Sequence, residues 1–324
     1  VFINKLSASK FKNYSSCQQR FFLESVLGYR FKSPFRATDI GSISHKFLEL
    51  LAKTKKAHQE GKDCYEDKIF GKIDINIDIQ SLIKQVYDYY TINEYTQHNW
   101  EPSDFKKVNK YVNTVLEYNN GYWNPLSQNI VDVEKHFELP LQDSWAEIGG
   151  SEYLKLNGYI DLVVQVDENT YEIIDYKTGQ LKDFHTGEEI NHDYLKKDIQ
   201  VLQYYWAAHH LYGFDKQFFV TMFYIRNEKL FTLELGHEEL LQLENRVQNI
   251  FSHISANNAP PQSVSWKCKK FCPFATNYSN NPPIKDWKGG VDYHGGSKCN
   301  LCDEIYFVTQ NEGIETAIQR YKKK

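Results

Sequence analysis

The stretch from Gly158 to Gly179 constrains this chain more than any other. It reads Gly158-Tyr-Ile-Asp161-Leu-Val-Val-Gln-Val, then the polar link Asp167-Glu168-Asn169-Thr170, then Tyr171-Glu-Ile-Ile-Asp175-Tyr-Lys177-Thr-Gly179. Two apolar, β-branched runs joined by so short a link predict adjacent strands. Each run carries one acid among apolar residues. A buried carboxylate is costly unless a cation or a proton neutralises it, so two together call for a metal ion or a shared proton. Asp175 and Lys177 are two apart and leave the same face of a strand. Asp161 reaches that face if the strands pair through the link. Hard oxygen donors suit Mg²⁺ or Mn²⁺. Such an ion can polarise a phosphodiester and acidify water, while a lysine beside it orients the water or steadies the transition state. A plain Asp–Lys ion pair at a strand edge leaves the same D-x-K pattern, so this motif alone does not decide.

The surrounding sequence sets the frame. Ser7 or Ser9 can cap a first helix ending at Gly28, and a second helix follows Gly41 as far as Gln59. Helical stretches are expected near 79–98 and 103–120, and strands at Ile130–Leu139, Tyr153–Val166 and Tyr171–Lys177. A helix from Tyr194 to Tyr212, a hairpin of strands near 217–226 and 229–235, and a helix near 237–257 complete the pattern before Pro260-Pro261. The tail beyond carries little helix or strand signal. This order predicts an α/β (α+β) fold: a mixed central sheet flanked by helices, after a helical N-terminal part. A single domain is expected, in three parts: 1–129, helical; 130–261, the catalytic sheet and its helices; and 262–324, a basic cysteine-rich tail.

Further motifs carry a resemblance. G-x-I-D followed by I-I-D-Y-K-T-G resembles the PD-(D/E)xK nuclease superfamily, in particular its RecB-like branch with Cas4-type and AddB-type relatives. Gly41-Ser-Ile-Ser-His45 resembles that branch's G-x-x-x-H helix, and Gln200-Val-Leu-Gln-Tyr204 its Q-x-x-x-Y helix. Ser16-Cys17-Gln-Gln-Arg20-Phe21 resembles its opening helix. The resemblance runs from about residue 7 to 302. It implies a restriction-endonuclease-like sheet, with metal ligation by His45, Asp161, Asp175 and the backbone carbonyl of Tyr176. Lys177 would be the catalytic lysine, and Gln200 and Tyr204 would position the catalytic strand or the DNA backbone. The residues themselves agree in one respect, since Gln200 and Tyr204 are i and i+4 on one helix face. Glu49, one turn from His45, reads as a solvated or supporting acid rather than a ligand.

Six cysteines in a chain without signal-peptide features suggest a cytoplasmic location and metal ligation rather than disulfides. Cys268-x3-Cys272 and Cys299-x2-Cys302 have the spacing of a zinc site. The resemblance instead implies a [4Fe–4S] cluster tying Cys17 to Cys268, Cys272 and either Cys299 or Cys302. Cys64 has no neighbour in sequence and reads as a free thiol. The net charge of −4 hides basic ends: residues 1–36 hold seven Lys/Arg and one acid, and residues 262–324 hold ten and six. Such ends suit phosphate contacts, for which Arg20, Lys267, Lys269 and Lys270 are the candidates.

The expected activity is therefore a metal-dependent DNA nuclease, most simply an exonuclease on single-stranded ends in DNA recombination, repair or replication. A structure-directed or Cas4-like processing endonuclease and a non-catalytic nucleic-acid-binding subunit are the alternatives. No G-x-x-x-x-G-K-[ST] loop is present, so a helicase or recombination partner would be a separate protein. No apolar run is long enough to span a membrane.

Overall fold

A computed structural model describes residues 3–29, 35–183, 186–256 and 301–323, together with 260, 261, 263, 272 and 274. In chain order the elements are β1 Lys5–Leu6, α1 Ala8–Ser16, α2 Gln18–Phe21, α3 Arg36–Gln59, β2 Cys64–Asp67, β3 Gly71–Asp74, α4 Ile79–Tyr89 and α5 Pro102–Gly121. There follow β4 Ile130–Pro140, β5 Glu147–Gly149, β6 Glu152–Tyr153, β7 Lys155–Gln165, β8 Thr170–Lys177, α6 His192–Leu195, α7 Ile199–Tyr212, β9 Gln217–Tyr224, β10 Lys229–Glu234 and α8 His237–Ser255. Leu301–Asn311 and Ile314–Tyr321 form α9 and α10. None of the helices among the described residues is long and apolar enough to cross a membrane.

The chain divides into two compact units. The larger comprises Phe35–Phe137 and Gly158–Leu241. Its sheet follows the order β4, β7, β8, β9, β10, and its pairing is mixed. β7 and β8 are antiparallel, β8 and β9 parallel, β9 and β10 antiparallel. The parallel step needs a long crossover, which α6 and α7 supply. Side chains from one sheet face, including Leu162, Val164, Ile174 and Tyr176, join Ile43, Phe47, Leu51, Val86 and Val112 of the helices in one buried core. The mixed sheet with flanking helices matches the expected fold class.

Gly158 has a specific reason to be glycine. A Cβ there would lie 2.8 Å from the ring of Phe137, itself buried at 2% exposure. The ring occupies the space a side chain would need. Gly158→Ala is expected to cost about 1–3 kcal/mol through overpacking, seen as a fall of several degrees in Tm.

The smaller unit comprises Val1–Pro34, Glu138–Asn157 and Gln242–Lys324. In it β1 runs parallel to the start of β7, and Glu138 bridges Lys5 and Lys155 at 2.5 and 3.0 Å. Ser7 is the helix cap, accepting from the Lys10 amide, and Gly28 ends the segment at φ +83°. The expected single helix is broken between them. Cys17 adopts an extended conformation, after which α2 restarts and widens into a π turn at Phe22–Val26. The tail also departs from expectation, because 301–321 is mostly helical. Leu301, Ile305 and Val308 repeat at helical spacing and are buried, with Asp303 and Glu304 in the favourable first turn.

Candidate active site

The β7–β8 ladder ends at Leu162↔Ile174. One step further, Asp161 and Asp175 would face each other directly. There the strands stop pairing, and the Asp161 carboxylate, at Oδ2, takes the backbone N–H of Tyr176 at 3.3 Å. The two acids thus mark the point where the sheet opens. The other edge of β8 stays paired with β9 through Lys177↔Tyr224, so the D-x-K segment is held rigid from one side.

Three elements converge on this opening. From α7, the Gln200 side chain donates to Asp175 Oδ1 at 3.0 Å and to the Tyr204 hydroxyl at 2.7 Å. Tyr204 in turn donates to the same Oδ1 at 3.0 Å, and Lys177 Nζ donates to Gln200 Oε1 at 3.1 Å. Asp198 makes this possible. It caps α7 by accepting from the Gln200 amide, which divides the expected 194–212 helix in two and places Gln200 in a first turn. From α3, His45 Nδ1 lies 3.3 Å from Asp161 Oδ2. Gly41, one turn earlier, lies so close to the end of β8 that a Cβ would fall 2.4 Å from the Thr178 hydroxyl. The G-x-x-x-H spacing therefore lets α3 approach the D-x-K strand and bring His45 to Asp161 of the neighbouring strand.

The third element is β4, and it brings an acid that the sequence reading missed. Glu134 lines the same cleft of about 650 Å³ as His45, Glu49 and Asp161. Its φ of +50° is left-handed, rare for a non-glycine residue and found where strain serves a site. Burial, with the charges of Asp161 and Glu49 beside it, pushes its carboxyl up to about 7. In the sequence Glu134 looks no different from Asp132, which is instead neutralised by Lys56 at 2.9 Å and bonded by Tyr212 at 2.8 Å. Only the irregular backbone separates the two.

Electrostatics divides the central pair. Burial alone would raise Asp161, but the hydrogen bond and charge of His45, together with Lys177, hold it below its ordinary range. Asp175, at 1% exposure, is raised by burial and by Asp161 against the pull of Lys177. Burial would lower His45 and Lys177, yet the carboxylates raise both. Lys177 Nζ stands 2.6 Å from Asp175 Oδ2, a contact outside hydrogen-bond alignment that leaves this buried oxygen without a hydrogen-bond donor. Glu49 is held by Lys46 and Lys53 at 2.8 and 2.5 Å.

The donor set fits a hard divalent cation in chemistry: the buried Asp175, the half-buried Asp161, a third carboxylate nearby, and an imidazole. Among the described residues no three His, Cys, Asp or Glu side chains are already gathered as a metal-binding group; His45 and Lys177 stand against the two acids instead. Of the other candidates, Arg20 is paired with Glu24 at 2.7 Å. Cys272 and Cys302 are in the smaller unit with Cys17. Cys268, Cys299, Lys267, Lys269 and Lys270 lie outside the described residues.

A family model of the PD-(D/E)XK nuclease superfamily matches residues 5–276. The chain belongs to the PD-(D/E)XK nuclease superfamily. As a member of that superfamily it is a nuclease, a phosphodiester hydrolase. A solved protein from Eubacterium rectale is similar to this PD-(D/E)XK chain with a TM-score of 0.44 and 14% identity, over 83% of this chain and 87% of that one. No curated protein is similar enough in sequence to count as a relative.

Proposed function

We propose that this nuclease is a Mg²⁺- or Mn²⁺-dependent deoxyribonuclease of the RecB-like branch that degrades single-stranded DNA from its ends. The observation that carries this reading is the closed network Lys177–Gln200–Tyr204–Asp175 beside Asp161 and His45. His45, Asp161, Asp175 and the Tyr176 carbonyl would hold the ion, with Glu134 as a further acid. A bound ion would supply Lewis-acid stabilisation of the phosphate and a more acidic water. Lys177, as an ammonium, orients the attacking water and offsets charge on the phosphorus-bound oxygens. Water adds to phosphorus and gives up a proton to solvent, the bond to the leaving sugar oxygen breaks, and that oxygen takes up a proton from solvent, so one water is consumed in all. Gln200 and Tyr204 fix Asp175 and Lys177 so that neither must reorganise. At the wall of the cleft, Glu134 carries more negative charge as pH rises through about 7, so ion affinity is expected to be weaker at pH 6 than at pH 8.

The test is cleavage of labelled oligonucleotides with Mn²⁺. Linear single strands should be shortened stepwise while circular single strands survive. Cleavage of circles at the linear rate would favour a processing endonuclease instead. Cleavage of RNA in preference to DNA would overturn the deoxyribonuclease reading.

The same proposal extends to the cysteines: Cys17, Cys268, Cys272 and Cys299 or Cys302 would bind a [4Fe–4S] cluster, with zinc as the alternative. Contacts within the smaller unit support it. Gln19, two residues after Cys17, donates its side chain to the Cys302 carbonyl at 3.4 Å and its amide to the Pro261 carbonyl at 3.2 Å. Cys302 N–H in turn reaches the Phe274 carbonyl at 3.4 Å. Anaerobically purified protein should show broad visible absorption and about four irons per chain. Stoichiometric zinc without such absorption would refute the cluster. A separate helicase or recombination protein would be the partner supplying single strands.

A further inference from the structure

Arg226 is a cation without an ion pair among the described residues. It is exposed in the turn after β9 and lines the cleft that holds His45 and Asp161. The lysine that also lines it, Lys46, is neutralised by Glu49 at 2.8 Å. A guanidinium with no ion pair among the described residues, in the same cleft as Glu134 and Asp161, is placed to take a phosphate.

Two aromatic rings share the cleft. Tyr90 and Tyr95 line it, stacked with centroids 5.6 Å apart and planes 28° off parallel. Their position comes from a local irregularity. After α4 the chain makes a single π turn, Tyr90–Glu94, none of whose residues is buried, and the Tyr95 amide closes it on the Tyr90 carbonyl at 2.8 Å. Such widened turns recur at functional sites, because they re-aim side chains without ending the helix elsewhere. Here the turn gives two half-buried rings to the cleft.

We propose that Tyr90, Tyr95 and Arg226 form a nucleotide subsite of the catalytic cleft. An unpaired base stacks on the tyrosine pair, and Arg226 binds a phosphate neighbouring the one cleaved. This rests on the nuclease reading above and adds a source of strand selectivity to it. A base inside a duplex is already stacked on both faces and offers no free face to tyrosine, so the subsite admits single strands and frayed ends.

The test is fluorescence anisotropy with labelled oligothymidylate, an abasic oligomer of equal length, and a duplex, in EDTA so that nothing is cleaved. Tyr90→Ala is expected to weaken oligothymidylate binding about tenfold and abasic binding less than twofold. Tyr90→Phe should bind as the wild type does. Arg226→Ala, an exposed change that leaves the core intact, should weaken both single strands and reduce the slope of log K against log salt by about one. The subsite is wrong if Arg226→Ala binds like the wild type with an unchanged slope, or if Tyr90→Ala weakens abasic and thymidine strands alike. Wild-type protein that binds no single strand overturns this inference together with the deoxyribonuclease reading. Wild-type binding with unaffected variants overturns this inference alone.

Discussion

Lys177→Ala is expected to lower the cleavage rate constant by about 10²–10⁴-fold with little change in oligonucleotide affinity. Lys177 touches Asp175 at 2.6 Å and Gln200 at 3.1 Å, and no other described lysine is bonded within this network. Its loss removes the positive charge nearest the acids of the opened strands. Folding should survive, because Asp175 keeps Gln200 and Tyr204 as donors, and its carboxyl, already raised by burial, can take a proton in place of the lost ammonium. Lys177→Arg keeps the charge but widens the donor, so it is expected to recover only a small part of the rate. Single-turnover cleavage with Mn²⁺, alongside thermal unfolding, separates a chemical defect from a folding defect.

Glu134→Gln is expected to act in opposite directions on activity and on stability. The carboxyl sits at about 7 when folded against an ordinary 4.5, so the folded protein holds its proton more tightly than the unfolded chain does. The stability tied to that proton is complete below about pH 4.5 and is lost as pH rises through 7. Glutamine carries no such penalty. A shift of this size would be worth at most about 3 kcal/mol, and partial exposure reduces it to about 1–2 kcal/mol. In EDTA the variant should match the wild type near pH 4 and exceed it by that amount near pH 8, read from urea midpoints. Cleavage should fall at the same time, and added Mg²⁺ should stabilise the wild type more than the variant. Equal pH profiles for the two proteins would remove Glu134 from the site.

The sequence made part of this site legible because strands and helices have fixed periods. Asp175 and Lys177 share a face at a spacing of two, and Gln200 and Tyr204 meet at a spacing of four, before any tertiary contact is known. The short link Asp167–Thr170 sets the β7–β8 register, and hence the approach of Asp161 to Asp175. His45 depends on tertiary packing, but Gly41 carries the trace of it, as the residue that lets α3 reach Thr178. Glu134 left no such trace. Its aim comes from one left-handed residue within β4, which strand periodicity cannot signal. Tyr90, Tyr95 and Arg226 were hidden for a similar reason, since a π turn and a post-strand turn aim them. The break at Cys17 and the helices of the tail show the remaining limit. At Cys17 local propensity favoured one continuous helix where the chain turns extended, and in the tail the helical spacing of Leu301, Ile305 and Val308 went unread.

The most direct measurement is calorimetric titration of Mn²⁺ into the wild type and into Asp161→Ala at pH 8. Asp161 is the acid that His45 and the Tyr176 amide hold ionised at the mouth of the opened strands. Saturable Mn²⁺ binding by the wild type, lost or weakened at least about tenfold in Asp161→Ala, is the expected result. Binding of equal affinity in both proteins, or none in the wild type, would contradict a metal-dependent centre built on Asp161, Asp175 and Lys177.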